Sequence, residues 1–248
     1  RVIRVWETGY NFDLHAQFRT SHDQGRTWDE PVAVPQWEDT NEVALFRAAN
    51  GHLLAACRTE SRKLDPSRPW TDHYAGLGVS ISQNNGTTWS QLNILYDWGR
   101  HHPSMVLLPD GTIVMSYVVR KGYVNAADGF PQFGIEAIVS RDHGSSWDLD
   151  HKYMLAVWKS TRKDEYAFWA ACQSTSSVLL PDGSILTAFG TGYRSREAKD
   201  DKPVKPMPRD VALVKWQVNE QGLNAQTTLS ETAFDSDARN VFDPGVND

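Results

Sequence analysis

Ser21-His-Asp-Gln-Gly-Arg-Thr-Trp28, Ser82-Gln-Asn-Asn-Gly-Thr-Thr-Trp89 and Ser140-Arg-Asp-His-Gly-Ser-Ser-Trp147 are three copies of one octapeptide, S-x-[DN]-x-G-x-x-W. Their glycines, Gly25, Gly86 and Gly144, stand 61 and 58 residues apart. A near-constant step of that length marks one supersecondary unit repeated along the chain. Each copy has the chemistry of a tight turn. Asp or Asn hydrogen-bonds backbone N–H groups further on, and Gly accepts a positive φ. The closing Trp brings an apolar body to bury and one N–H to satisfy.

Working outward, a second element recurs between the boxes. Val106-Leu-Leu-Pro-Asp-Gly-Thr-Ile-Val-Met-Ser-Tyr117 and Val178-Leu-Leu-Pro-Asp-Gly-Ser-Ile-Leu-Thr-Ala-Phe189 are apolar β-formers on either side of a Pro-Asp-Gly turn, and Leu45-Phe-Arg-Ala-Ala-Asn-Gly-His-Leu-Leu-Ala-Ala56 is a looser copy. Such turns between β-formers signal hairpins. Gly51 precedes Gly86 by 35 residues and Gly111 precedes Gly144 by 33, so Gly183 calls for a fourth box near residue 217. Val218-Asn-Glu-Gln-Gly-Leu-Asn-Ala225 keeps only the glycine and an acidic residue there, and reads as a degenerate copy.

Each period then holds about four short strands, two around the hairpin turn and two around the box. Four-stranded antiparallel sheets repeated radially are the blades of a β-propeller. The expected fold is all-β, with blades over 42–95, 102–157 and 173–225 and part of another in 1–40, about four in one domain spanning 1–248. Each box should join the third and fourth strands of its blade. Helical periodicity is absent, with room for one helical turn in 159–170. Residues 194–210 read as an exposed loop and 226–248 as a polar, acidic tail.

Composition narrows the partners. The net charge is −6 and no Lys/Arg run occurs, which argues against nucleic acid or an anionic membrane surface. No apolar stretch approaches 18 residues, and none has the pattern of a signal peptide, so membrane insertion is not expected. The chain opens without Met inside a strand-like run, Arg1-Val-Ile-Arg-Val-Trp6, and reads as a processed chain or the C-terminal portion of a longer propeller. Cys57 lies in an expected strand and reads as a small buried hydrophobe; a bridge to Cys172 is the disfavoured alternative. Of ten Trp, three close boxes. Most of the rest are expected between blades, while Trp70 and Trp98, in loop-like context, are candidates for stacking on a sugar ring.

The boxes resemble the Asp-box (BNR) repeats of the sialidase superfamily, whose best-known members are six-bladed propellers. The resemblance covers most of residues 12–225. In that family the boxes lie on the rim, away from substrate, so function has to be argued from other positions. One stretch is similar to the family's site: an Asn-Glu pair, an apolar strand, a turn glycine, a second apolar strand and an Arg. Here it reads Asn41-Glu42, then Gly51, then Arg58. The resemblance implies that Arg58 holds a substrate carboxylate and that Glu42 polarises the nucleophile. Arg120, nine residues after Gly111, is the natural second arginine, with Glu60 beside the same mouth. Independently of any family, an Arg offers a planar, permanently charged fork that fits a carboxylate. The competing reading is an ordinary strand-end ion pair, Arg58 with Glu60.

The departures from the pattern are specific. The family's nucleophilic Tyr falls at Ser174, while Tyr166 and Tyr193 are off register. In a second register Asp72, within Trp70-Thr-Asp-His-Tyr74, takes the place of the general acid; otherwise it is a solvated loop carboxylate. His101-His102 precedes the Pro109-Asp110-Gly111 turn. Paired histidines suggest metal, but no second cluster has ligand spacing, so His102 is assigned to substrate hydroxyls or structure, with no metal and no cofactor. No phosphate loop, dinucleotide fingerprint or serine-nucleophile motif occurs. Two functions remain. The first is a sialidase-like, exo-acting glycoside hydrolase on a terminal acidic sugar, secreted or periplasmic by resemblance. It would use Glu42 and Asp72 catalytically and Arg58, Arg120, Glu60 and His102 for substrate. The second is a non-catalytic propeller that binds glycan or protein, which the missing Tyr favours. Oligomeric state is not legible in the sequence.

Overall fold

The computed structural model describes residues 2–8, 15–60, 75–122, 132–159, 174–193, 198–199, 202–203 and 209–219. Those residues form strands and turns, with no helix among them. Strands β1 (Val2–Thr8), β2 (His15–Ser21) and β3 (Val32–Glu38) form a sheet in the order β1-β2-β3. Strands β4 (Thr40–Arg47), β5 (Leu53–Glu60), β6 (Ala75–Ser82) and β7 (Asn93–Tyr96) form a four-stranded meander. A second four-stranded sheet, in the order β11-β10-β9-β8, holds β8 (Arg100–Leu107), β9 (Ile113–Gly122), β10 (Gln132–Ser140) and β11 (Tyr153–Lys159). The strands β12 (Thr175–Leu179), β13 (Ile185–Tyr193) and β16 (Arg209–Trp216) form a third meander. These sheets match the expected repeat units, and four-stranded antiparallel sheets of this kind are propeller-like.

The turns show why the sequence repeats. In the hairpins, the N–H of Gly51, Gly111 and Gly183 each donates to the carbonyl three residues back, on Ala48, Leu108 and Leu180, at 2.9–3.0 Å. All three glycines have φ near +80 to +90°, a conformation that side chains with a Cβ resist. In the boxes, the hydroxyl of Ser21, Ser82 or Ser140 accepts the N–H of Gly25, Gly86 or Gly144 at 2.7–2.8 Å. The same hydroxyl donates to the carboxyl or amide oxygen of Asp23, Asn84 or Asp142. Just outside each box the flanking strands rejoin, through Asp29 N to Thr20 O, Ser90 N to Ile81 O and Asp148 N to Val139 O at 2.8–2.9 Å. The boxes at 82–89 and 140–147 join the third and fourth strands of their sheets, as expected. The degenerate copy at 218–225 falls largely outside the described residues, as do the segment 160–173 and the tail 226–248.

The chain divides into two compact units, residues 1–113 with 140–147, and residues 114–139 with 148–248. In the first, Phe18, Trp37 and Trp89 form the centre of a core with Leu53, Ala55 and Cys57. Trp37 and Trp89 meet edge-on with ring centroids 4.7 Å apart. A box Trp and a β3 Trp thus wedge between neighbouring sheets, as expected of inter-blade tryptophans. Cys57 is a free thiol, wholly buried, and burial pushes its ionisation far up. In the second unit Tyr153 packs on Trp216, with centroids 5.4 Å apart. There the Trp216 indole donates to Thr187 Oγ1, and a part-buried hydroxyl chain continues through Ser177 to Ser116 at 2.8–3.0 Å. One expectation is corrected. Within 194–210, read as a loop, Ala198–Lys199 (β14) and Lys202–Pro203 (β15) pair as a short ladder, and β16 starts at Arg209. Lys and Pro dilute the β signal there, so composition misread it.

Candidate functional site

Glu42, Arg58 and Glu60 come together at one end of the β4–β5 pair. β4 enters the sheet at Thr40 and β5 leaves it at Glu60, so the third residue of one strand faces the last residues of the other. Arg58 Nη1 donates to Glu42 Oε1 at 3.1 Å, and Arg58 Nε lies 3.0 Å from Glu60 Oε1. Asn41 Nδ2 donates to the same Glu60 oxygen at 3.2 Å. The guanidinium is mostly buried, at 11% exposure, whereas the two carboxylates keep 25% and 21%. Arg58 therefore uses two separate arms of its planar fork to hold two carboxylates, a geometry that the compact ammonium of a lysine would not reproduce.

The other oxygen of Glu42 meets β8. His102 Nδ1 stands 3.0 Å from Glu42 Oε2, and His101 Nδ1 stands 3.7 Å from it. Consecutive strand residues normally point to opposite faces. Here the two imidazoles lie 4.8 Å apart and approach the same oxygen. The backbone explains it: His102 has φ +52°, which breaks the alternation. Glu42 has φ +48° and sits where the β4–β5 register shifts between Asn41 and Ala44. Glu42 and His102 are the same position in successive repeats, each nine residues before its turn glycine. Arg100, next along, places its guanidinium over the Tyr96 ring at 4.8 Å.

Several expected residues fall elsewhere. Arg120 is buried, at 2% exposure, and belongs to the second compact unit. It occupies the repeat position of Glu60 rather than of Arg58, since both stand nine residues after their turn glycines. Asp72, Trp70, Tyr166 and Cys172 lie outside the described residues. Ser174, at the repeat position of Glu42 and His102, is exposed and accepts a 3.4 Å bond from Gly190 N. Trp98 is half-buried. Sequence reasoning weighed His101 and His102 as a pair, gave the substrate role to His102, and missed that both histidines turn towards Glu42. The available signal was the shared nine-residue offset of positions 42 and 102.

No protein-family model matches the chain, and no curated protein sequence matches it. Among solved structures it is similar to a Hadza microbial sialidase, with a TM-score of 0.54 and 16% identity over 87% of this chain and 43% of that one. It is similar also to an α-L-arabinofuranosidase from Fusarium graminearum, with TM-score 0.54 and 14% identity over 85% of this chain and 58% of that one. A xylan β-1,4-xylosidase from Bacillus halodurans gives TM-score 0.52 and 14% identity over 89% of this chain and 39% of that one. The chain thus spans from about two fifths to under three fifths of these three proteins. At such identity the likeness is one of fold: an all-β, propeller-like arrangement of antiparallel sheets.

Proposed function

We propose that the protein is a glycoside hydrolase-like member of the sialidase superfamily that acts on a terminal acidic sugar at the Glu42–Arg58–Glu60–His102 cluster. The observation that carries this reading is the Arg58 fork held between two partly exposed carboxylates, with an imidazole on the far oxygen of one of them. Glycoside hydrolysis needs a group to protonate the leaving oxygen and a group to stabilise or attack the oxocarbenium-like centre. The Glu42–His102 pair can hold and release a proton, Glu60 adds a second carboxylate, and Arg58 supplies charge-assisted bonds to a sugar carboxylate. Asp72 remains the reserve general acid. Secretion or a periplasmic location, and a single propeller domain, belong to the same reading.

One observation favours the second reading, a non-catalytic glycan-binding propeller. Arg58 is already engaged by two carboxylates of its own strand pair, as in an internally satisfied structural network. The test is turnover of aryl glycosides of sialic acid, arabinofuranose and xylose by the full chain, beside calorimetric binding of the free sugars. Release of the aryl group from the acidic sugar, lowered on the order of a hundredfold or more in Glu42→Gln, supports the enzyme. Binding without turnover, lost in Arg58→Lys while the melting temperature holds, supports the binding module. Neither turnover nor binding of any of the three sugars overturns both.

A further inference from the structure

We infer that Glu42, His101 and His102 form a binding site for one divalent transition-metal cation of the Zn2+ type. The inference stands apart from the glycosidase reading, because a cation can be held here whether or not the chain turns over a sugar. One ligand atom from each of the three residues lies within 4.8 Å of the others, and among the described residues this is the place where three such side chains gather. Tetrahedral ligands about 2.0–2.2 Å from Zn2+ stand roughly 3.4 Å from one another. The two approaches to Glu42 Oε2, 3.0 and 3.7 Å, bracket that value.

Four further features fit a cation at this point. Both imidazole Nδ1 atoms face a single carboxylate oxygen, at 3.0 Å from His102 and 3.7 Å from His101, an arrangement that a cation shared by the three groups would satisfy. Arg58 occupies the opposite oxygen, Oε1, at 3.1 Å, which orients the carboxylate and leaves Oε2 to point at the histidines. Outer partners of that kind commonly fix the first ligands of a metal. The backbone departs from strand geometry at Glu42 and at His102, with φ of +48° and +52°, and those two departures aim the three groups at one point. Burial is graded across the cluster. His101 is closed off, while His102 and Glu42 keep 19% and 25% exposure, which leaves an open side for water or a sugar oxygen as the fourth ligand. Two imidazoles and one carboxylate suit Zn2+ and its first-row neighbours, not Ca2+ or Mg2+, which take oxygen ligands.

The experiment uses the full chain, freed of metal by a chelator. Zn2+ is titrated by calorimetry, Co2+ by visible absorption, and melting is followed with and without Zn2+. We expect one saturable Zn2+ per chain, a melting temperature that rises with Zn2+, and Co2+ bands of tetrahedral or five-coordinate intensity. Glu42→Gln nearly preserves shape, and His102→Ala removes a ring that is 19% exposed. Each should weaken Zn2+ binding by about a hundredfold or more, since losing even an outer-shell partner costs 10–100-fold. His151→Ala and His22→Ala remove exposed histidines paired with Asp148 and Asp29, and should leave the binding unchanged. Absence of one-to-one binding by the unmodified chain overturns the inference, whatever the variants do. So does binding that survives both Glu42→Gln and His102→Ala, whether or not His151→Ala or His22→Ala affects it.

Discussion

Asp142 and Asn84 stand at the same place in two box turns and complete the turn in different ways. Asp142 Oδ1 accepts Ser146 N at 2.8 Å, and its other oxygen accepts the Ser146 hydroxyl at 2.6 Å. Asn84 Oδ1 likewise accepts Thr88 N at 2.8 Å, but its amide donates to the Thr88 hydroxyl, which reverses the role of that hydroxyl. The turn thus needs an acceptor at Oδ1 and tolerates either polarity at the second atom. Burial acts to raise the Asp142 carboxyl, yet the bonds from Ser146 and Ser140 outweigh it and hold it below the ordinary range. Asp142→Ala should lose about 1 kcal/mol of stability at neutral pH, the scale of one net hydrogen bond at a largely exposed site. Asp142→Asn should lose clearly less, because residue 84 shows the amide closing the same turn. Denaturant unfolding of the three proteins checks this; equal losses in both variants would mean that charge, not the Oδ1 acceptor, makes the turn.

At the scale of the element, the box closes two strands and also delivers a tryptophan between sheets. Trp89 is 93% buried against Trp37 and Phe18, while Trp28 stays half-buried and donates its indole N–H to Gly25 O at 3.1 Å. Trp89→Ala should therefore cost roughly 3–5 kcal/mol. Trp28→Ala should cost distinctly less, and neither variant should abolish ligand binding at a temperature where it is folded. Loss of binding with an unchanged melting temperature would place the boxes in the site instead of the scaffold. The strands and their turns were legible in the sequence because Gly, Asp and Trp sit at fixed offsets that only this turn geometry demands. The site was legible in part. Glu42 and Arg58, both singled out in the sequence, form an ion pair with each other, and the alternative Arg58–Glu60 pair forms as well. The convergence of His101 and His102 on Glu42 was not legible. It depends on positive φ at a Glu and a His, residues that carry no turn signature, and a period-2 reading places neighbouring histidines on opposite faces. Offset also misled for Arg120, whose two-residue difference from Arg58 keeps the face but changes the repeat position.

Across the whole molecule, depressed carboxylates recur in both compact units, and that sets its response to acid. In the first unit the Thr27 hydroxyl and N–H hold Asp23 down to about 2 from an ordinary 3.8, and Asp142 is held down by Ser146 and Ser140 against burial. In the second, the Lys215 ammonium and Ser184 hold Asp182 far below its ordinary value, and His151 holds Asp148 down against burial. A carboxyl with a lower value in the folded than in the unfolded chain stabilises the fold above its unfolded value. That stabilisation is lost as pH falls through the folded one. The window here runs from an unfolded value near 3.8 down to about 2 for Asp23, with the other three shifted in the same direction. The melting temperature should accordingly be level with respect to these groups above about pH 5 and fall steadily from about pH 4 to pH 2. Replacing Asp23 and Asp142 by Asn, which Asn84 shows the box accepts, should make that acid limb shallower without altering the neutral plateau much. Thermal melts between pH 2 and 7 on both proteins decide it. An acid limb of unchanged slope in the double variant would show that the box aspartates do not carry the acid sensitivity.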